Sequence, residues 1–112
     1  MEHLDIDLQQ TDAALIVTLR GDAGMTTVDK LESAVKDIAA KKPRLVVVSL
    51  AEVTFMGSLA LGSLLWLRQE LRHNGGNLHL AAPSKVAASV IAAAKFGTTL
   101  SVYPTVEAAL VP

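Results

Sequence analysis

The chain contains no cysteine, which removes disulfide bridges, thiolate catalysis and the common zinc sites together. It also lacks an excess of either charge, since ten basic against eleven acidic residues leave a net charge of −1. Nucleic-acid binding draws on clustered Lys and Arg, which are scattered along this sequence, so nucleic acid is not an expected partner. No apolar run approaches the ~20 residues of a membrane span. The start, Met1 to Asp5, has neither the basic nor the apolar stretch of a secretory leader. A cytoplasmic protein without membrane insertion is expected.

The familiar catalytic arrangements are missing as well. A serine between glycines invites comparison with the nucleophile elbow, which needs glycine two positions before and two after the serine. Met56 and Ala60 stand there around Ser58. His3, His73 and His79 are far apart, with no pair at metal-ligand spacing, and each reads as a surface residue. Gly21 to Gly24 and Gly75-Gly76 match neither a phosphate loop nor a dinucleotide fingerprint. Neither an enzyme, a cofactor nor a metal is expected.

What is present is a core. With 112 residues, 51% of them hydrophobic, the chain suits one packed domain over residues 1–112. Leu4, Ile6 and Leu8 alternate with His3, Asp5 and Asp7, the period of an edge strand with one wet face. A turn at Thr11-Asp12 leads to a second strand over Ala14 to Leu19, paired antiparallel with the first. Val28, Leu31, Val35 and Ile38 fall at helical spacing, predicting a helix over 27–40 capped by Thr26 or Thr27. Leu45 to Val48 is apolar on both faces, as in a central parallel strand covered on each side. A second helix runs from Ser58 to His73 and stops at Asn74-Gly75-Gly76. Leu78 to Leu80 is a strand, Pro83-Ser84 opens a helix reaching Phe96-Gly97, Leu100 to Val102 is a last strand, and Pro104 to Leu110 is a short helix. The order ββαβαβαβα predicts an α/β domain whose mixed sheet joins an antiparallel N-terminal hairpin to parallel crossovers.

The run Val53-Thr54-Phe55-Met56-Gly57-Ser58-Leu59-Ala60-Leu61-Gly62 leaves two readings of Ser58 open: a helix cap, or a hydroxyl displayed for recognition or modification. The stretch from Leu45 to Gly62, followed by Gly75-Gly76-Asn77-Leu78 and Ala81-Ala82-Pro83-Ser84, resembles the STAS domain of bacterial anti-sigma factor antagonists. The likeness runs from Leu15 to Leu110. It implies that Ser58 matches the serine phosphorylated in such antagonists, with Leu61 and Gly62 ending the motif. It implies an anti-sigma factor or switch-type serine kinase as partner, with Gly24, Thr26, Gly57, Leu59, Gly62, Ser63 and Trp66 as contacts. Four positions depart from the pattern: Gly57 and Gly24 stand where acids are common, Leu59 where a hydroxyl is common, and Ala60 where glycine is common. The alternative is a non-phosphorylated STAS subunit or scaffold of a transport ATPase or stressosome-like assembly; a homodimer is a further possible state.

At about 100° per residue, Ala60, Leu64, Leu67 and Leu71 form the buried stripe of the second helix, with Leu61 at its margin. Leu59 and Trp66 fall roughly opposite, with Gly62 and Ser63 between them. Two large apolar side chains turned from the core predict a docking face, the alternative being that Trp66 lies over a loop of its own chain.

Overall fold

The computed structural model describes residues 3–94 and 100–111. Five strands form one mixed sheet in the order β1-β2-β3-β4-β5. The strands are β1 (Leu4–Gln10), β2 (Leu15–Ala23), β3 (Leu45–Met56), β4 (Asn77–Ala81) and β5 (Ser101–Tyr103). The helices are α1 (Val28–Ala40), α2 (Ser58–His73), α3 (Lys85–Ala93) and α4 (Val106–Ala109). β1 pairs antiparallel with β2, and every other pairing is parallel. This is the predicted order; the span of α2 agrees to the residue, whereas the predicted end of α3 at Phe96-Gly97 lies outside the described residues.

β3 is the main departure, since it runs twelve residues where the run apolar on both faces predicted four. Its partners on β2 slip between Thr18 and Arg20 and again between Gly21 and Asp22. These irregularities shift the core-facing positions from Val46, Val48 and Leu50 to Val53 and Met56, breaking the two-residue period that marks a strand in sequence. β2 is likewise longer than predicted and ends at Ala23. Consequently the two strand ends arrive side by side, with Ala23 opposite Met56.

The sheet separates two cores. Val46, Val48 and Leu50 pack with Leu31, Val35 and Ile38 of α1 and Leu64, Leu67 and Leu71 of α2. Leu45 and Val47 point the other way and pack with Ala81, Ala109, Val106 and Tyr103 under α4. His79, predicted at the surface, is instead 2% exposed in this second region. Its Nδ1 donates to the carbonyl of Ala109 at 2.7 Å and its ring lies 4.7 Å from that of Tyr103. Burial is tolerated because the polar nitrogen finds a carbonyl in the helix the ring supports. Toward the hairpin side Arg20 bridges Asp7 at 2.9 Å and Glu52 at 3.0 Å, tying β1, β2 and β3 across an exposed face. Both carboxylates, Asp7 foremost, hold its guanidinium proton more tightly than usual.

Candidate functional site

The site begins where β2 and β3 end together. The Gly57 N–H donates to the Ala23 carbonyl at 3.0 Å, fixing the start of α2 against the end of β2. Gly57, not Ser58, is the N-cap, with φ −89° and ψ 168°, and α2 starts without a side-chain cap bond. Ser58 is therefore the first helical residue and is exposed. Of the two readings, the cap is overturned: a residue already in helical geometry is one position too late to serve the first-turn N–H groups as a cap does.

The neighbouring turn, Gly24 to Thr27, is held from inside. The predicted threonine cap of α1 is also corrected: Thr27 occupies the cap position but makes no side-chain cap bond. Its backbone there is helical, so its hydroxyl turns back into the loop. It accepts from the Gly24 N–H at 3.1 Å and donates to the Asp22 carbonyl at 2.7 Å. Thr26 and Met25 are exposed on the outside of this turn. Gly24 is buried, and a Cβ on it would meet Asp22 Oδ1 at 2.6 Å and the Phe55 ring at 3.2 Å. The carboxylate of Asp22 thus fills the space where a side chain on residue 24 would begin. A local acid is present after all, supplied from two residues upstream.

From Ser58 a groove of about 350 Å³ runs between α1 and α2. Its α2 wall carries Ser58, Leu59, Gly62, Ser63 and Trp66, and its α1 wall carries Glu32, Val35 and Lys36. Leu59 is 56% and Trp66 41% exposed, as the helical wheel predicted. Gly62 opens the groove, with nothing within 4 Å of where its Cβ would stand. Ser63 departs from expectation: it is buried and its hydroxyl donates to the Leu59 carbonyl at 3.2 Å. Phe55 is 49% exposed and lies against Gly24 and Gly57, extending the apolar rim past Ser58.

Glu32, Lys36, Phe55 and Asp22 were missed in the sequence. The first two sit one position after Leu31 and Val35 of the buried stripe, so the α1 wheel held a signal for them once α2 was known to lie alongside. For Phe55 and Asp22 no local pattern existed, because their positions depend on the β3 irregularity. Among the described residues no group of three or more His, Asp or Glu is placed to hold a metal, and no helix is long and apolar enough to cross a membrane.

This architecture is shared with solved anti-sigma factor antagonists. The crystal structure of one from Mycobacterium paratuberculosis superposes with a TM-score of 0.87 at 26% identity, over 96% of this chain and 92% of that one. SpoIIAA in its unphosphorylated form has the same fold, with a TM-score of 0.77 at 19% identity over 95% and 93% of the two chains. Residues 5–109 match the STAS domain, and the chain belongs to that family. In sequence it is 30% identical over 109 residues to the anti-sigma-F factor antagonist RsfA of Mycobacterium tuberculosis, spanning 96% of this chain and 85% of that protein.

Proposed function

We propose that this domain is an anti-sigma factor antagonist, a binding module without catalytic chemistry of its own. It engages an anti-sigma factor or switch-type kinase through the exposed end around Ser58 and the α1–α2 groove, and phosphorylation of Ser58 releases the partner. The observation that carries this reading is the exposure of Ser58 in the first turn of α2, at the mouth of an apolar groove. A phosphate there adds roughly −1.5 to −2 charges. The positive end of the helix dipole tolerates that charge, so the free domain keeps its fold. The same charge pressed against an apolar or acidic partner surface loses its water and drives the two apart. Asp22, near the end of β2, sets its carboxylate beside Gly24 in the adjoining turn, where an acid supports positioning of the hydroxyl for a kinase.

A second reading, a non-phosphorylated subunit or scaffold of a transport ATPase or stressosome-like assembly, is favoured by Gly57 and Leu59. One experiment separates the two. The purified chain is incubated with a candidate switch kinase and ATP, Ser58 is followed by mass spectrometry, and affinity for that kinase is compared between wild type and Ser58→Asp. The proposal expects phosphate on Ser58 and at least about tenfold weaker binding of Ser58→Asp, or about 1.4 kcal/mol. An unmodified Ser58 together with unchanged affinity of the Asp variant selects the scaffold.

A further inference from the structure

The pole of the domain farthest from Ser58 carries a feature that the antagonist reading does not use. Arg44 lies just before β3 and Arg72 in the last turn of α2; both are exposed. They line one groove of about 590 Å³, floored by Ala13, Gly75, Gly76 and Asn77. Arg44 also borders an adjoining hollow lined by Lys41 and by one acid, Asp12. The ion pairs among the described residues, His3–Asp5, Arg20–Asp7 and Arg20–Glu52, all lie elsewhere. Cations scattered in sequence are thus gathered at one end of the fold without an ion pair among the described residues.

The bland explanation is that cations suit the C-terminal ends of helices. It covers Arg72 and Lys41, but not Arg44, which belongs to no helix. Nor does it cover Lys42, which holds a left-handed backbone with φ 51° just past the end of α1. The equivalent position after α2 is Gly75, with φ 84°, and glycine is the residue this conformation favours. Two arginines outside those ion pairs, both lining one trough, point to charge with a use.

We infer that this groove is a second docking surface, for an extended acidic segment of a partner protein, with Arg44 and Arg72 pairing with its carboxylates. Two guanidinium forks on the walls of a trough suit planar carboxylates. Gly76 lets the loop after α2 close on the segment that carries Arg44, since a Cβ there would strike the Pro43 carbonyl at 2.5 Å and that of Arg44 at 3.0 Å. Among the described residues none of the large exposed apolar side chains lines the trough, so these offer nothing of what a membrane-surface site inserts into lipid. Nor do the described lining residues include the aromatic platforms on which single-stranded nucleic acid stacks. Because it lies at the opposite end of β3 from Ser58, the domain is able to hold this segment and an α1–α2 groove partner together.

The test titrates the ¹⁵N-labelled full chain with a synthetic peptide of alternating Glu and Gly. Parallel titrations use the same peptide with Gln for Glu, phosphatidylcholine vesicles containing phosphatidylglycerol, and a short single-stranded oligonucleotide. The expected result is amide shifts centred on Arg44, Gly75, Gly76 and Asn77, with none at Ser58 to Trp66. They should fade at about 0.5 M salt, where screening reaches contact distance. Arg44→Gln with Arg72→Gln, both at exposed positions, should weaken the Glu peptide roughly twofold to thirtyfold, while the melting temperature falls by no more than the few degrees that losing a cation from the end of α2 costs. The inference is overturned by absent shifts, by equal binding of the Gln peptide or of the double variant, or by vesicles or oligonucleotide binding where the Glu peptide does not.

Discussion

Replacing Gly57 by aspartate should stabilise the domain, although it adds a side chain at a crowded junction of two strand ends and a helix. Gly57 holds φ −89° and ψ 168°, ordinary extended backbone, so glycine's special freedom is not in use there. A Cβ would find its nearest neighbours, the Ala23 carbonyl and the Phe55 ring, at 3.7 Å, which is ordinary contact. The expected magnitude combines three small gains. Removing a glycine from the unfolded ensemble contributes about 0.4–1 kcal/mol. A cap oxygen on the first-turn N–H groups adds a few tenths over glycine, and a negative charge at the helix N-terminus about 0.3–1 kcal/mol. Repulsion from the nearby Asp22 carboxylate takes back a few tenths at a solvated site. The net is about 1 kcal/mol, or about 4 °C in melting temperature for a domain of this size.

Gly57→Asn isolates the charge, since it caps without it. The new aspartate should have a folded-state pKa below its unfolded value of about 3.9, because the dipole favours the ionised form. Its extra stability over asparagine is therefore present above that unfolded value and lost as pH falls through the folded one. Melting curves of wild type, Gly57→Asp and Gly57→Asn at pH 7 and near pH 3 test this. Both variants melting below wild type at pH 7 would refute the open, extended cap, and an Asp-over-Asn gain that persists near pH 3 would refute the dipole argument. With a switch kinase in hand, the same Asp variant reports whether the acid common at this position speeds phosphate transfer to Ser58.

Three further outcomes follow from the geometry. Thr27→Val should cost about 1–3 kcal/mol, because the Gly24 N–H and the Asp22 carbonyl lose their internal partner. Hydrogen exchange at Gly24 should rise with it; unchanged exchange would show that the hydroxyl does not hold the turn. Gly76→Ala should destabilise by more than about 1 kcal/mol, since all three atoms nearest its Cβ are backbone carbonyl oxygens and none moves cheaply; an unchanged denaturation midpoint would contradict the packing of that turn. His79→Leu should cost about 1–3 kcal/mol by stranding the Ala109 carbonyl, and proteolysis should then cut near α4 first, whereas cutting elsewhere would argue against His79 as its anchor.

The sequence disclosed the fold wherever one period persisted. α2 was legible to its ends because Leu64, Leu67 and Leu71 repeat on one face and Gly75 follows. α1 was legible for the same reason. β3 was read only as far as Val48, since the irregular pairing with β2 changes which residues face the core after Leu50. His79 was misplaced because its burial depends on one carbonyl thirty residues later, at Ala109, a contact that no local pattern announces. At the site, Leu59 and Trp66 followed from the wheel alone. Asp22, Phe55, Glu32 and Lys36 required the strand ends and the second helix to be brought together, so these four were invisible until the fold was known.

The placement of Leu59 and Trp66 connects docking to stability. A large apolar side chain fully buried contributes about 1.5–3 kcal/mol, and these two, half exposed on a helix whose other face is packed, forgo part of that. The core does not need them: Leu64 and Leu67, on the core-facing side of the helix, are 1% and 0% exposed. Apolar area left open beside Ser58 is available to whatever covers it, where each Å² buried contributes about 25 cal/mol before the costs of association. Charge added to Ser58 opposes that gain at its rim without touching the residues that hold the sheet and α2 together. Leu59→Asp should accordingly abolish docking while leaving the melting temperature within about 2 °C of wild type, the shift expected for ~0.5 kcal/mol at a surface position. A larger fall would mean that the groove belongs to the core, and the separation of binding from folding would fail with it.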